Sequence, residues 1–229
     1  MRAVKTNFVN SEIFVIIPAF NEGAGISGLL RSLIKFGLPV IVIDDGSKDK
    51  TYKIARKFKV SVLRHKVNLG KGSALKTGCE AALRRGAKAL IFMDADGQHS
   101  VSDLPFFIEK IKAGKYDVVF CSRNLNFGVP LDRFLGNKIA SVVVNVFIGR
   151  YISDILCGYR AMTTQAYRKI NWESVGYGVE TEIVVKTASL GLRYCEIPVK
   201  TLYYDRFKGV TFLDSLNILG DILRWKFQR

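Results

Sequence analysis

Closely spaced cysteines are missing from this sequence. Its four cysteines, Cys79, Cys121, Cys157 and Cys195, are scattered with no C-x-x-C pair, which argues against zinc and gives no sign of a disulfide framework. A reducing, cytosolic setting fits that usage best. Histidine is scarce too: only His65 and His99 occur, and neither has a serine or cysteine partner arrangement that suggests a catalytic triad. No run of about eighteen uncharged apolar residues exists, so no transmembrane helix is expected. The opening MRAVKTNFVNSE has no apolar centre, so no signal peptide is expected either. The chain lacks both G-x-x-x-x-G-K-[ST] and G-x-G-x-x-G, which excludes the two commonest phosphate-loop signatures. It has no internal repeat, no low-complexity linker and no firm domain boundary. Acidic residues are the other shortage, 20 against 35 basic ones, for a formal net charge of +15.

That excess of positive charge suits contact with phosphates, whether in nucleic acid, anionic lipid or a phosphorylated substrate. The 229 residues suffice for one large domain, and 48% hydrophobic with 24% charged is ordinary globular composition. Short apolar runs alternate with helical spacing. Strands are predicted over 13–17, 39–43, 60–63, 88–93 and 117–121, and helices over 22–36, 49–58, 71–85 and 102–112. Such alternation implies right-handed crossovers and a mostly parallel α/β sheet. The second half changes character. A helical stripe joins Leu135, Ile139, Val142 and Val146, 154–162 is irregular, 179–190 reads as helix and 193–199 as strand. An amphipathic helix over 211–227 gathers Phe212, Leu216, Leu219, Leu223 and Phe227 on one face.

The chemistry concentrates where apolar runs stop. LIFMDADGQH (90–99) ends a strand in two aspartates spaced two apart, so Asp94 and Asp96 point the same way at its carboxyl end. That edge of an open α/β sheet is where ligands bind. Adjacent carboxylates repel unless a cation lies between them, and Mg²⁺ or Mn²⁺ meets that need, with Gln98 adding a neutral oxygen. Taken alone, Asp-x-Asp would be a solvated turn. Two other strands end comparably, in PAFNE (18–22) and DDGSKDKT (44–51), so that three polar ends line one cleft. In the second, Ser47 or Asp49 can cap the following helix while Asp44 and Asp45 face a ligand. NLGKGSALKTG (68–78) places glycines and Lys71 at a helix start, where backbone N–H groups suit a diphosphate. His65 reads as structural, His99 as a supporting neighbour of the metal motif, and Trp172 and Trp225 as packing or interfacial residues.

IIPAFNE, DDGSKDKT, NLGKGSALKTG, DADGQH, CSRN and DILCGYRAM occur in that order. The series resembles the family 2 inverting glycosyltransferases of the GT-A fold, and within them the dolichyl- or polyprenyl-phosphate mannose or glucose synthases. The resemblance runs from about Ile13 to Trp225. It implies a single GT-A domain over 1–229, with a polar lead-in at 1–12, a nucleotide-sugar half at 13–124 and an acceptor half at 125–229 ending in amphipathic helices. It implies that Pro18, Ala19, Asn21, Glu22, Asp44, Asp45, Lys71, Asp94, Ala95 and Asp96 bind the nucleotide sugar, with metal on Asp94, Asp96 and Gln98. Arg123, Arg133, Asn137, Arg206 and Lys208 would face the acceptor phosphate, and Asp96, Asp154, Arg123 and Arg133 would carry the chemistry. Asp154 stays open among base, stabiliser of a cationic sugar, and holder of an arginine.

The activity so implied is metal-dependent transfer of a hexose from GDP-mannose, or second UDP-glucose, to a polyprenyl or dolichyl phosphate. A phosphate monoester is already mostly anionic at neutral pH, so arginines rather than an obligatory base are what the acceptor needs. The rival enzyme is a family 2 transferase acting on a sugar hydroxyl. The rival outside enzymology is a basic module binding nucleic acid or anionic membrane, disfavoured by the Asp94/Asp96 pair and the unclustered aromatics. The expected setting is the cytoplasmic face of a membrane, as a peripheral protein, with a separate membrane-anchoring subunit left open and no nucleic-acid partner.

Overall fold

The computed structural model describes residues 12–123 and 137–199, apart from 140, 143, 147 and 148. Its strands are β1 (Ile13–Ala19), β2 (Val40–Asp44), β3 (Ser61–Arg64), β4 (Ala89–Phe92), β5 (Val118–Arg123), β6 (Arg160–Thr163) and β7 (Tyr194–Val199). The α-helices are α1 (Ile26–Leu33), α2 (Thr51–Ala55), α3 (Lys71–Leu83), α4 (Leu104–Lys112), α5 (Thr164–Ile170) and α6 (Val179–Ser189). Residues 137–146 add helical turns where described. The strands form one seven-stranded sheet in the order β3-β2-β1-β4-β6-β5-β7. All pairings are parallel except those of β6, which runs antiparallel between β4 and β5.

The runs VIVID and ALIF carry no alternation because both faces are covered. Phe14, Ile16, Ile41, Ile43, Leu90 and Phe92 pack under α3, α5 and α6. Ile13, Val15, Ile17, Val42 and Ile91 pack under α1 and α4. Helix α3 lies close on the sheet because Gly78 has no side chain. A Cβ there would collide with Ile16 and come within 2.6 Å of Ile43 Cδ1. Trp172 is fully buried, sits edge-on to Phe92 and donates its indole N–H to Gly72 O at 3.1 Å, so it is a core residue.

Several elements differ from the sequence reading. Strand β1 continues through Pro18 to Ala19: its pairing with β4 stops at Ile16–Phe92, so the proline falls beyond the last β1–β4 pair while β2 still pairs with it. Helix α1 starts at Ile26 rather than at 22, since residues 22–25 form a turn closed by Gly25 N and Ile26 N on Glu22 O. Helix α2 is five residues, not ten. Strand β6 and helix α5 are additions to the sequence reading; Thr163 caps α5 by accepting Ala166 N at 3.1 Å. The apolar stripe at 139, 142 and 146 does not enter the core: Ile139, Val142 and Val146 are exposed, while Asn137, Ser141 and Val144 turn inward. Leu135 and the helix expected over 211–227 lie outside the described residues. The cysteines also correct the reading, because Cys121 and Cys157 form a disulfide. Their 36-residue separation hides a contact that only the β5–β6 pairing creates. No helix among the described residues is long and apolar enough to cross a membrane.

Two glycines test the packing of the helical layers. Gly28, in α1, has nothing within 4 Å of a built Cβ. Gly28→Ala is expected to stabilise the protein by about 0.5–1 kcal/mol through helix propensity. Gly78→Ala is expected to destabilise it by about 1–3 kcal/mol despite the same propensity gain, because the methyl overpacks Ile16 and Ile43. Urea unfolding of the two variants reads both signs.

Candidate active site

A cleft of about 690 Å³ opens along the carboxyl edge of β1, β2, β4 and β5. Of the residues singled out from sequence, it brings together Pro18, Ala19, Asn21, Glu22, Asp45, Lys71, Asp94, Ala95, Asp96, Gln98, Arg123 and Asn137. Asp44 is not among them. It is fully buried, its Oδ1 accepts Ser47 N at 3.3 Å, and its Oδ2 lies 2.9 Å from Arg64 Nε. Successive residues at a strand end point to opposite sides, so Asp44 serves the turn while Asp45 reaches the cleft. Arg133, Arg206 and Lys208 lie outside the described residues.

Side-chain hydrogen bonds fix the turns that follow β1 and β2. Asn21 adopts φ 56°, donates its N–H to Ser47 Oγ at 2.9 Å and accepts Lys48 N at 2.9 Å. Glu22 N donates to Thr51 Oγ1 at 2.8 Å, and Asp49 Oδ1 accepts Thr51 N at 2.9 Å. Asp45 accepts Leu69 N at 2.9 Å and Gly70 N at 2.8 Å. Its Oδ1 also lies 2.7 Å from His65 Nδ1, while His65 Nε2 contacts Thr77 Oγ1 at 2.9 Å. His65 is thus structural, as the sequence suggests. Gly70 takes φ 92° where a Cβ would strike Val175 O, so glycine alone lets this loop deliver Lys71 to the head of α3.

Lys71 carries the electrostatics. Its Nζ stands 2.5 Å from Asp94 Oδ1 and 2.5 Å from Glu180 Oε1. Burial by itself would lower the ammonium's pKa, but these two carboxylates raise it well above the ordinary lysine value. Burial likewise opposes ionisation of Asp94, yet Lys71 and then His99 hold that carboxyl well below the usual range. Asp96 shifts the other way, raised by its burial and next by the charge of Asp94. Its Oδ1 accepts Gln98 N at 2.9 Å. His99 is buried, with Nε2 3.8 Å from Asp94 Oδ2 and 3.9 Å from Cys157 Sγ. Gly158 lies against the Asp94 carboxyl where any side chain would collide.

The opposite end of the cleft is arranged around Arg123. Asp154 is 1% exposed and accepts Arg123 Nε at 2.5 Å, Nη2 at 2.8 Å and the backbone N at 3.2 Å. Of the roles left open for Asp154, this geometry is that of an arginine holder. Asn137 spends its amide on the same loop, donating Nδ2 to Ser153 O at 3.0 Å and accepting Ile155 N at 3.0 Å. Arg160, the arginine of the DILCGYR motif, has a structural task that the motif alone does not reveal. It is buried, and its guanidinium donates to Ile155 O, Cys157 O and Glu180 O, tying that loop to α6. Glu180 and Tyr177, also at the cleft, escape the sequence reading. Tyr177 lies in an irregular loop, and Glu180 sits in GVETEIVV, where no spacing separates it from an ordinary helix-start acid.

The donor set suits a hard divalent ion. Such ions are held by one or two carboxylates plus substrate phosphates, and Asp94 and Asp96 are two half-buried carboxylates that repel each other. Among the described residues, the three-donor cluster with atoms within 4.8 Å is instead Cys121, Asp154 and Cys157. That cluster is occupied by the disulfide and by Arg123.

Comparison with known proteins identifies the family. The profile for "Glycosyl transferase family 2" matches residues 14–171. An undecaprenyl-phosphate mannosyltransferase of Micrococcus luteus is 32% identical over 93% of this chain and 93% of its own length. A UDP-N-acetylglucosamine–dolichyl-phosphate N-acetylglucosaminyltransferase of Methanococcus voltae is 30% identical over 93% of this chain and 96% of its own. The crystal structure of glucosyl-3-phosphoglycerate synthase from Mycobacterium tuberculosis with Mn²⁺, UDP-glucose and phosphoglyceric acid superimposes with a TM-score of 0.73. That match is 21% identical and covers 93% of this chain and 77% of the other. The sheet, its flanking helices and the motif series therefore make this chain a glycosyltransferase of the GT-A fold, belonging to glycosyl transferase family 2.

Proposed function

We propose that the chain transfers a hexose from a nucleotide diphosphate sugar to a polyprenyl or dolichyl phosphate, with inversion and with a divalent metal. Mannose from GDP-mannose is the first assignment, in keeping with the Micrococcus luteus relative's name. UDP-glucose is the second, since Cys157-Gly158-Tyr159 resembles the glucose branch. The observation that carries the acceptor reading is the Arg123–Asp154 pair. A sugar hydroxyl would need a general base. Asp154, the carboxylate beside the acceptor end, is buried and already accepts three hydrogen bonds from Arg123. An arginine fixed this way suits a phosphate, which arrives ionised and needs only gathering and aim.

Asp94, Asp96 and Gln98 would hold Mg²⁺ or Mn²⁺, which neutralises charge on the departing nucleoside diphosphate. The turn 18–22 and Asp45 with its bound amides form the wall for the nucleotide. Arg123 orients the acceptor oxygen toward the anomeric carbon. Lys71 adds positive charge between the two. Arg133, Arg206 and Lys208 are proposed as further acceptor-phosphate contacts. The acceptor's tail stays in the bilayer, so the protein works as a peripheral protein on the cytoplasmic face. Exposed Ile139, Val142 and Val146 supply one apolar patch for it, and the amphipathic sequence at 211–227, with Arg224, Lys226 and then Arg229 at its end, a second.

The reading is tested by incubating the protein with Mn²⁺, a short polyprenyl phosphate and a panel of nucleotide sugars, then weighing the lipid product. A hexosyl phospholipid is expected. Asp96→Asn or EDTA is expected to lower turnover at least about 100-fold with the fold intact; near-normal turnover in EDTA would remove the metal from the mechanism. Arg123→Lys keeps the charge but loses the two-pronged geometry, and is expected to raise acceptor KM about tenfold with donor KM unchanged. A rise in donor KM instead would move Arg123 to the donor side. On vesicles, binding is expected to be stronger to anionic than to neutral lipid and to weaken with salt. Equal partition to both would argue against electrostatic docking.

A further inference from the structure

We propose that Glu180 sets the divalent-cation affinity of the donor site by holding Lys71, the ammonium that otherwise stands at Asp94 where a metal ion is needed. The inference rests on the reading of Asp94 and Asp96 as metal carboxylates. Lys71 Nζ is shared equally, at 2.5 Å from each of Asp94 Oδ1 and Glu180 Oε1. Both anchors are rigid. Lys71 follows Gly70, whose N–H is held by Asp45, and Ser73 N donates to Val175 O at 3.2 Å. Glu180 is fixed at its backbone, where its carbonyl accepts Arg160 Nη1 at 2.9 Å. The ammonium therefore passes between the two carboxylates by rotation of its own side chain.

Glu180 has capacity to take the lysine alone. It is 5% exposed, and its Oε2 is buried without a hydrogen-bond partner among the described residues. When a divalent ion reaches Asp94, it repels the ammonium, which then has a second carboxylate to retreat to. Asp94, Asp96 and Glu180 against Lys71 leave two negative charges, the complement of one dication. With glutamine at 180, one negative charge is left, and a metal must drive the lysine from its sole anion. Among the described residues the Tyr177 ring also stands near the ammonium, 6.0 Å away, and is a far weaker host.

Mn²⁺ binding to the donor-free protein, by calorimetry, tests this without reference to turnover. Glu180→Gln is expected to raise the Mn²⁺ Kd about five- to tenfold. Lys71→Met removes the competing cation and is expected to lower it. Glu180→Asp keeps the charge and is expected to stay within about threefold of the parent. In crystals with Mn²⁺ and nucleoside diphosphate, Lys71 Nζ is expected on Glu180 and clear of Asp94. A folded Glu180→Gln protein with unchanged Kd, weaker binding in Lys71→Met, or a lysine still on Asp94 beside bound Mn²⁺ would each overturn the proposal. If the parent binds Mn²⁺, Asp96→Asn loses it and Glu180→Gln binds it with the parent's Kd, the proposal fails while the metal reading stands. A parent that takes up no Mn²⁺ even with nucleoside diphosphate present sinks both.

Discussion

Compensation of half-buried negative charge just past the end of β4 governs the cleft. Asp94 and Asp96 lie in the segment that leaves β4 and both face the cleft, where partial burial makes their repulsion expensive. Lys71 answers that demand, and its delivery explains much of the surrounding architecture. It must come from the head of α3, so the loop before it has to be held, which Asp45 does through two amide hydrogen bonds. Asp45 is steadied by His65, and His65 by Thr77 on α3 itself. Even the absence of a side chain at Gly158 belongs to this set, because the returning loop has to pass against the Asp94 carboxyl.

The two ends of the cleft use cations in contrasting ways. Lys71 is one ammonium divided between two acids, an arrangement that can be redistributed. Arg123 is matched to one buried acid by a two-pronged contact and a backbone bond, an arrangement that resists movement. Strand β6 connects them. Its reversed direction between β4 and β5 brings residues 154–158 back across the cleft floor, with Asp154 toward Arg123 and Gly158 toward Asp94.

Strands buried on both faces are legible in the sequence because an apolar run that stops abruptly in aspartates fits little besides a central strand meeting a ligand edge. The donor-side motifs are legible on the same ground, since each begins at such a stop. Side-chain direction is less so. Asp44 and Asp45 are adjacent and identical in type, and only the register of β2 against β1 and β3 separates the acid that holds Arg64 from the one that faces the cleft. Periodicity misplaces the start of α1 because a side-chain-bonded turn built on Asn21 precedes it. Helix α5 escapes it although Ala166, Tyr167 and Ile170 have helical spacing, because seven residues give a weak periodic signal. Glu180 and the Cys121–Cys157 pair depend on contacts between distant segments, which no local pattern records.

The disulfide has a topological consequence. Residues 122–156 lie between its two cysteines, so they form a covalent ring whose feet stand beside Arg123 at one end and Gly158 at the other. Arg133 and Asn137 both belong to that ring. The ends of this segment cannot separate, and the entropy of closing it is removed from the unfolded chain. The stretch that carries Arg123 and Asn137 to the cleft is thereby closed covalently at its base.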